Sequence, residues 1–411
     1  MPARDVSLSK LPEFAGKDRF VKKRMRVVFL AAVLSLAMRS AAGTAGQAAS
    51  SPPPLEVTLP SAAPSGNPIV DRIWLTFYPA VSPTGAPAPA VVVLHVLGEE
   101  AGTFRLIQQF GRYLAQHGIG AAVMTLPYHM RRLPPHDFPM AHFLSADLSR
   151  VYQAFDQSAS DVSTVVTWLQ HQPSVDPNRI GVVGVSLGAI VGHLAMGLDS
   201  RLTAGVAILG GGDIEGLYHR SLLVKVEHPH LPRNLPARDR ILLARIDPIT
   251  YADRNRPRHV LMIEAARDFL LPPSNATLLW NALGRPPIEW LDTNHYAPVF
   301  VARSLMRASA AYLDSVWSGA PPRVMRLSVP TVKLGMLAGL DSVVTPAIQW
   351  QVIELGIRRD HMSLFNLNIG WSGRGPFVGL AATLNAYMDL GIGHRFNGKG
   401  VRPYLSFHLV F

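Results

Sequence analysis

The sequence predicts an α/β protein, with a mostly parallel sheet covered by helices and then a small antiparallel all-β region at the C-terminus. Two observations carry this. From residue 68 to 317, short apolar runs rich in β-branched residues alternate with stretches of helical spacing. From 324 onward the texture changes to strict period-2 alternation, broken by Gly- and Asn-containing turns. The 34 Pro and 33 Gly are spread along the 411 residues, so they read as turns between many elements, not as a disordered tract.

The elements follow in order. Residues 90–96 (AVVVLHV) form an almost wholly apolar run, as expected of a strand buried on both faces. Residues 103–117 then place Phe104, Ile107, Phe110 and Leu114 at helical spacing. Strands are expected at 120–126, 180–184, 204–209, 259–263 and 288–291. Helices are expected at 146–170 and 187–196, and from 274 and 298. Such alternation favours parallel strands, whose carboxyl ends collect the chemistry. The segment 214–257, rich in His, Arg and Pro, interrupts the rhythm and reads as a cap over the site or a plain excursion.

The N-terminus reads as a leader over 1–48. Lys22, Lys23, Arg24 and Arg26 precede a run at 27–38 in which only Ser35 is polar, and Ala41, Ala42, Gly43, Ala45 and Ala48 follow. That is the plan of a secretory signal peptide, too short to span a bilayer comfortably. Export to the periplasm or outer membrane of a Gram-negative bacterium is expected. Residues 49–67 are dominated by Ser, Pro and Ala and read as a linker. The leader also accounts for +6 of the net charge of +11, and no basic stripe with interleaved aromatics appears elsewhere, which excludes nucleic acid as a partner. The absence of cysteine excludes disulfides, thiolate catalysis and Cys-ligated metal.

The chemistry centres on Gly184-Val185-Ser186-Leu187-Gly188. It follows the strand IGVVG and opens a helix, the strand–turn–helix setting that a nucleophilic serine at a sharp elbow requires. A serine needs a base, and the base needs an orienting acid. Asp268 lies past the strand HVLMI and His295 past the strand IEWL, so both candidates stand at strand ends beside the serine. Asp213, Asp247 and Asp292 compete for the acid's role but read better as turn or local structural residues. His193 reads as a packing residue. His219, His228 and His230 read as solvated. The expected oxyanion hole uses the backbone N–H of Leu187 and that of Leu97, with His95 bracing the loop. Arg131 and Arg132 could hold an anionic group, but a solvated loop is the expectation for 127–132.

The stretches LHVLG, GVVGVSLGA, DPITYAD, LMIEAARDFLLPP and DTNHYAP together resemble the α/β-hydrolase superfamily, nearest its dienelactone-hydrolase and acetyl-xylan-esterase-like branches. The resemblance spans residues 89–313, more than half of the chain. It implies a hydrolase fold over 68–317, a triad of Ser186, Asp268 and His295, and neither cofactor nor metal. One residue departs from the pattern: Val96 stands where family members usually carry Gly.

The region 324–411 is expected to hold five or six antiparallel strands. Val332, Leu334, Met336 and Ala338 alternate with other residues, as do Phe365, Leu367, Ile369 and Trp371, and then Leu405, Phe407, Leu409 and Phe411. This resembles strands of outer-membrane β-barrels. Five or six strands fall short of the usual eight, so the region is expected to self-assemble, to borrow strands or to form a small sheet against the hydrolase domain. The functional expectation is a serine hydrolase cleaving a small-molecule carboxylic ester through an acyl-enzyme. A peptidase or thioesterase of the same fold is the alternative within that class. A non-catalytic, outer-membrane-associated protein with a decayed hydrolase domain is the alternative outside it.

Overall fold

The computed structural model describes residues 52–410, apart from 82–84, 99–100, 231, 233, 341–342, 397 and 399. The leader and Phe411 lie outside the described residues. Eight strands form one sheet: β1 (Leu55–Pro60), β2 (Arg72–Tyr78), β3 (Ala88–Leu94), β4 (Gly120–Met124), β5 (Val175–Val185), β6 (Leu202–Ile208), β7 (His259–Ala265) and β8 (Ile288–Leu291). Their spatial order is β1-β2-β4-β3-β5-β6-β7-β8. Strands β3 to β8 run parallel, and β1 and β2 extend the edge in antiparallel pairing.

The central strands are apolar at nearly every position because both faces are covered. The helices Leu148–Gln170 and Leu187–Leu198 and those of the 214–257 segment close one face, around Val92, Leu94, Val182 and Met262. The helices Ala101–Gln116 and Ala302–Trp317 close the other, around Val91, Val93, Val183 and Val206. Each such Val or Leu removed from water stabilises the fold by about 1.5–3 kcal/mol.

Three local expectations are corrected. The stretch read as a linker contains β1, whose Leu55, Val57 and Leu59 alternate at strand period; its Ser/Pro/Ala-rich flanks masked the pattern. Arg132 is fully buried, not solvated. It donates to Val70 O, Thr125 O and Asp161 Oδ2, so a buried carboxylate balances its charge. The third correction concerns the C-terminal strands β9 (Thr331–Ala338), β10 (Thr345–Ile357), β11 (Ser363–Ser372), β12 (Gly375–Asn385), β13 (Met388–Arg395) and β14 (Val401–Val410). All six close on themselves as an up-and-down barrel, β14 pairing with β9.

Closure with six strands needs a narrow lumen, and glycine provides it. A Cβ on Gly335 would stand 1.8 Å from Phe407 O, and one on Gly379 would stand 2.6 Å from the Tyr404 hydroxyl oxygen. Beside a small apolar cluster of Leu337, Leu340, Phe377 and Tyr404, the lumen is filled with polar side chains. Lys333 Nζ donates to Asp389 Oδ2 at 2.6 Å and to Asn366 Oδ1 at 3.0 Å, Gln349 Nε2 to Ser406 Oγ, and Arg395 to Ser372 Oγ. The period-2 reading of the last strand holds over 404–409, with Tyr404, Ser406 and His408 buried and Phe407 and Leu409 exposed.

Candidate active site

β5 runs between β3 and β6 and delivers Ser186 at the carboxyl edge of the sheet. Ser186 has φ 55° and ψ −114°, a conformation that L-residues rarely adopt and that is typically held at functional sites. Its N–H donates to Ile208 O at 2.8 Å, fixing the elbow to β6. The flanking glycines are a steric requirement. A Cβ on Gly184 would lie 2.1 Å from Gly188 O, and one on Gly188 would lie 2.5 Å from Leu94 O. The sharp turn therefore presses the helix Leu187–Leu198 against β5 and β3, and no side chain fits between them.

Three side chains far apart in the chain meet at this edge. Ser186 Oγ lies 2.9 Å from His295 Nε2, and His295 Nδ1 lies 2.5 Å from Asp268 Oδ2. Asp268 is fixed at its other oxygen, where Oδ1 accepts from the N–H groups of Leu270 at 2.8 Å and Leu271 at 2.9 Å. With the carboxylate held and Nδ1–H directed to it, Nε2 presents its lone pair to the serine hydroxyl. The His295 turn is shaped by Asn294, whose Oδ1 accepts from Tyr296 N and Ala297 N.

The competing acids sit elsewhere. Asp213 caps the helix Ile214–Arg220 and pairs with Arg220. Asp247 accepts from the N–H groups of Asp213, Ile214 and Ile249. Asp292 faces Arg267, not the imidazole. His193 is buried in the core with neither ring nitrogen partnered among the described residues, and His228 bonds Leu144 O.

Leu187 N–H opens its helix, where helix geometry supplies no intrahelical acceptor, and it points its positive end toward the serine edge. The structure places Leu97 in the loop after β3, and His95 does brace that loop. His95 Nδ1 lies 2.7 Å from Val96 O, and Nε2 accepts from Leu126 N–H at 3.0 Å. The two bonds assign a neutral ring with its hydrogen on Nδ1, and burial depresses its pKa to about 4. The 214–257 segment is mostly helical and touches the rim where Leu222 N–H donates to Phe269 O, next to Asp268.

Sequence reasoning missed two features. Glu264, at the end of β7, is buried and accepts from Gly210 N–H; burial raises its pKa well above the ordinary range, and the nearby Asp268 charge adds to this. The second feature is a junction: both loops that carry Asp268 and His295 are bonded to the barrel. Arg267 donates to both Asp292 oxygens and to Ala386 O. Asp292 also accepts from Ser363 N–H and Gln351 Nε2, and Asn294 Nδ2 donates to Val410 O. No local motif announces such pairs, because their partners lie up to 119 residues away. Among the described residues, no group of three or more His, Asp or Glu is placed to hold a metal ion.

Residues 152–296 match the prolyl oligopeptidase family. Among solved structures, the chain is similar to the acylaminoacyl peptidase of Pyrococcus horikoshii, at 14% identity and a TM-score of 0.50, over 68% of this chain and 43% of that one. It is also similar to a puromycin-hydrolysing peptidase of Mycobacterium tuberculosis, at 19% identity and TM-score 0.49, over 67% and 41%. A third is 2,6-dihydroxy-pseudo-oxynicotine hydrolase, at 16% identity and TM-score 0.47, over 67% and 72%. The chain thus spans about two fifths of the length of the two peptidases. Among curated proteins none matches. The fold is that of the α/β-hydrolases, and the match to the prolyl oligopeptidase family covers the stretch that carries Ser186, Asp268 and His295.

Proposed function

We propose that the protein cleaves carboxylic ester bonds through an acyl-enzyme. His295 Nε2 takes the proton of Ser186 as Oγ attacks the ester carbonyl. Asp268 holds the imidazole and balances its positive charge. The N–H groups of Leu187 and Leu97 receive the oxyanion. The protonated imidazole then returns its proton to the leaving alkoxide, and a water activated by the same nitrogen releases the acid and restores the serine. The observation that carries this reading is the unbroken Ser186–His295–Asp268 hydrogen-bond chain at a strained elbow. An ester is favoured because an alkoxide leaving group asks less of the imidazole than an amine does.

A fluorophosphonate probe tests the chemistry. Labelling of the wild type that is lost in Ser186→Ala supports it. Absence of labelling in folded wild-type protein overturns it and favours the non-catalytic alternative. The match of residues 152–296 to the prolyl oligopeptidase family supports a second reading, a peptidase. Matched ester and amide substrates of graded acyl length separate the two, since a peptidase would cleave the amides with comparable kcat/KM.

A further inference from the structure

The barrel is inverted relative to a water-soluble one. Most of its inward positions are polar, with Lys333, Asp389, Asn366, Asn368, Gln349 and Ser406 all buried, beside a small apolar cluster of Leu337, Phe377 and Tyr404. Its outward positions are apolar on every strand: Leu334 and Met336 on β9, Trp350 and Leu355 on β10, Ile369 and Trp371 on β11, Leu380 and Leu384 on β12, Leu390 and Ile392 on β13, Phe407 and Leu409 on β14. Each of these is at least 40% exposed. An exposed apolar surface of this extent is not left to water.

We propose that this outer face is a lipid-contact surface and that the barrel seats in the hydrocarbon of a bilayer. Four facts select lipid over a second copy of the chain. The apolar band runs round all six strands, whereas a partner protein covers one side. Closure gives every strand two hydrogen-bonded neighbours over the shared part of the ladder, as hydrocarbon requires, and residues 352–357 of β10 and 401–404 of β14 pair on one side. The strands hold 8, 13, 10, 11, 8 and 10 residues, and about 9–11 tilted residues cross the apolar layer. The end of the barrel away from the hydrolase domain carries Arg374 and Arg402, cations suited to anionic headgroups, while the opposite end is bonded to the hydrolase loops through Thr331, Ser363 and Val410. Among the described residues no helix is long and apolar enough to cross a membrane. An exported protein would meet such a bilayer at the outer membrane. The lumen, filled by side chains, is a plug and not a channel.

The test uses the full chain, as wild type and as Ser186→Ala, with vesicles of phosphatidylcholine and a minor share of phosphatidylglycerol. Ser186→Ala makes the outcome independent of the catalytic reading. The expected result is co-flotation that survives alkaline carbonate, with tryptophan emission quenched by lipids brominated on the acyl chains. The quenchable component should disappear in W350F/W371F, a mild variant that keeps the fold. Leu380→Arg with Ile392→Arg, which face each other across β12 and β13, should lower the floated fraction by about tenfold or more, and Ile241→Arg on the hydrolase domain should leave it unchanged. A detergent-free monomer that stays with the soluble fraction would overturn the proposal. So would a detergent-free oligomer that does not float, which would assign the face to copies of the chain.

Discussion

Arg267 and Asp292 form a bidentate ion pair, 2.6 Å and 3.2 Å, almost wholly buried between the two loops that hold Asp268 and His295. Arg267 is the residue before Asp268, and its N–H donates to Thr293 O, so the pair sets the separation of acid and base. Burial alone would raise the Asp292 carboxyl. The Arg267 guanidinium and the Ser363 and Gln351 donors outweigh this and hold it well below the usual carboxylate range. A depressed carboxylate stabilises the fold above its unfolded pKa and loses that contribution as the solution is acidified through the folded value.

Asp292→Asn keeps the shape and removes the charge, leaving Arg267 buried without its counter-ion. A stability loss of about 3–5 kcal/mol is expected by chemical denaturation. Where the variant stays folded, kcat should fall about ten- to a hundredfold while KM moves little, because the Asp268–His295 separation is disturbed and not the substrate contacts. An unchanged kcat would show that the pair plays no part in positioning the two loops.

The strain at Ser186 gives a second expectation. Both Ser186→Ala and Ser186→Gly remove the hydroxyl, but only glycine relieves a backbone at φ 55°. The glycine variant should be more stable than the alanine variant by about 1–3 kcal/mol, read as the difference between their denaturation midpoints at equal slope. Equal stability would mean that the elbow stores no strain.

The sheet and the three strand-end residues were legible because they are local. A β-branched run marks a buried strand, and the residue just past its end inherits a position on one rim; Ser186, Asp268 and His295 each follow such a run. β1 was hidden by the composition around Leu55–Pro60. Arg132 was hidden because its partner Asp161 stands 29 residues away on a helix, and nothing in the Met130–Arg132 turn distinguishes a buried guanidinium from a solvated one. Barrel closure was the largest departure. Strand counting alone argues against six, but the lumen glycines bring backbones and rings closer than a Cβ allows, and that contact exists only once the register is known.

His193 makes acid sensitivity predictable. It lies on the helix behind Ser186 with no hydrogen-bond partner among the described residues, and burial lowers its pKa to about 4. A lowered histidine pKa means that the unfolded chain binds the proton first. Stability therefore falls as pH drops from about 6.5 toward 4, by up to about 3 kcal/mol from this residue. His193→Leu should leave stability near pH 7 within about 1.5 kcal/mol of the wild type and flatten the slope between pH 6 and 4, about the range over which the native ring resists the proton. Denaturation curves at closely spaced pH values would show it, and parallel slopes for the two proteins would refute it. His95 and His408, also held near 4, would supply the slope that remains.

Lys333 and Asp389 test what holds the barrel. Both side chains are fully buried, 2.6 Å apart, and Lys333 also bonds Asn366 and Asn368. Burial lowers the lysine pKa while the Asp389 charge opposes it. Lys333→Met removes one charge and strands the other, so a loss of about 3–5 kcal/mol is expected. Adding Asp389→Asn removes the stranded charge and should recover a large part of that loss, because the penalty lies in the lone buried carboxylate and not in the missing attraction. The single and double variants form a mutant cycle read by denaturation of the full chain. Additive losses would mean that the two groups stabilise the barrel independently, and the lumen would then be held by its Asn, Gln and Ser bonds and not by the ion pair.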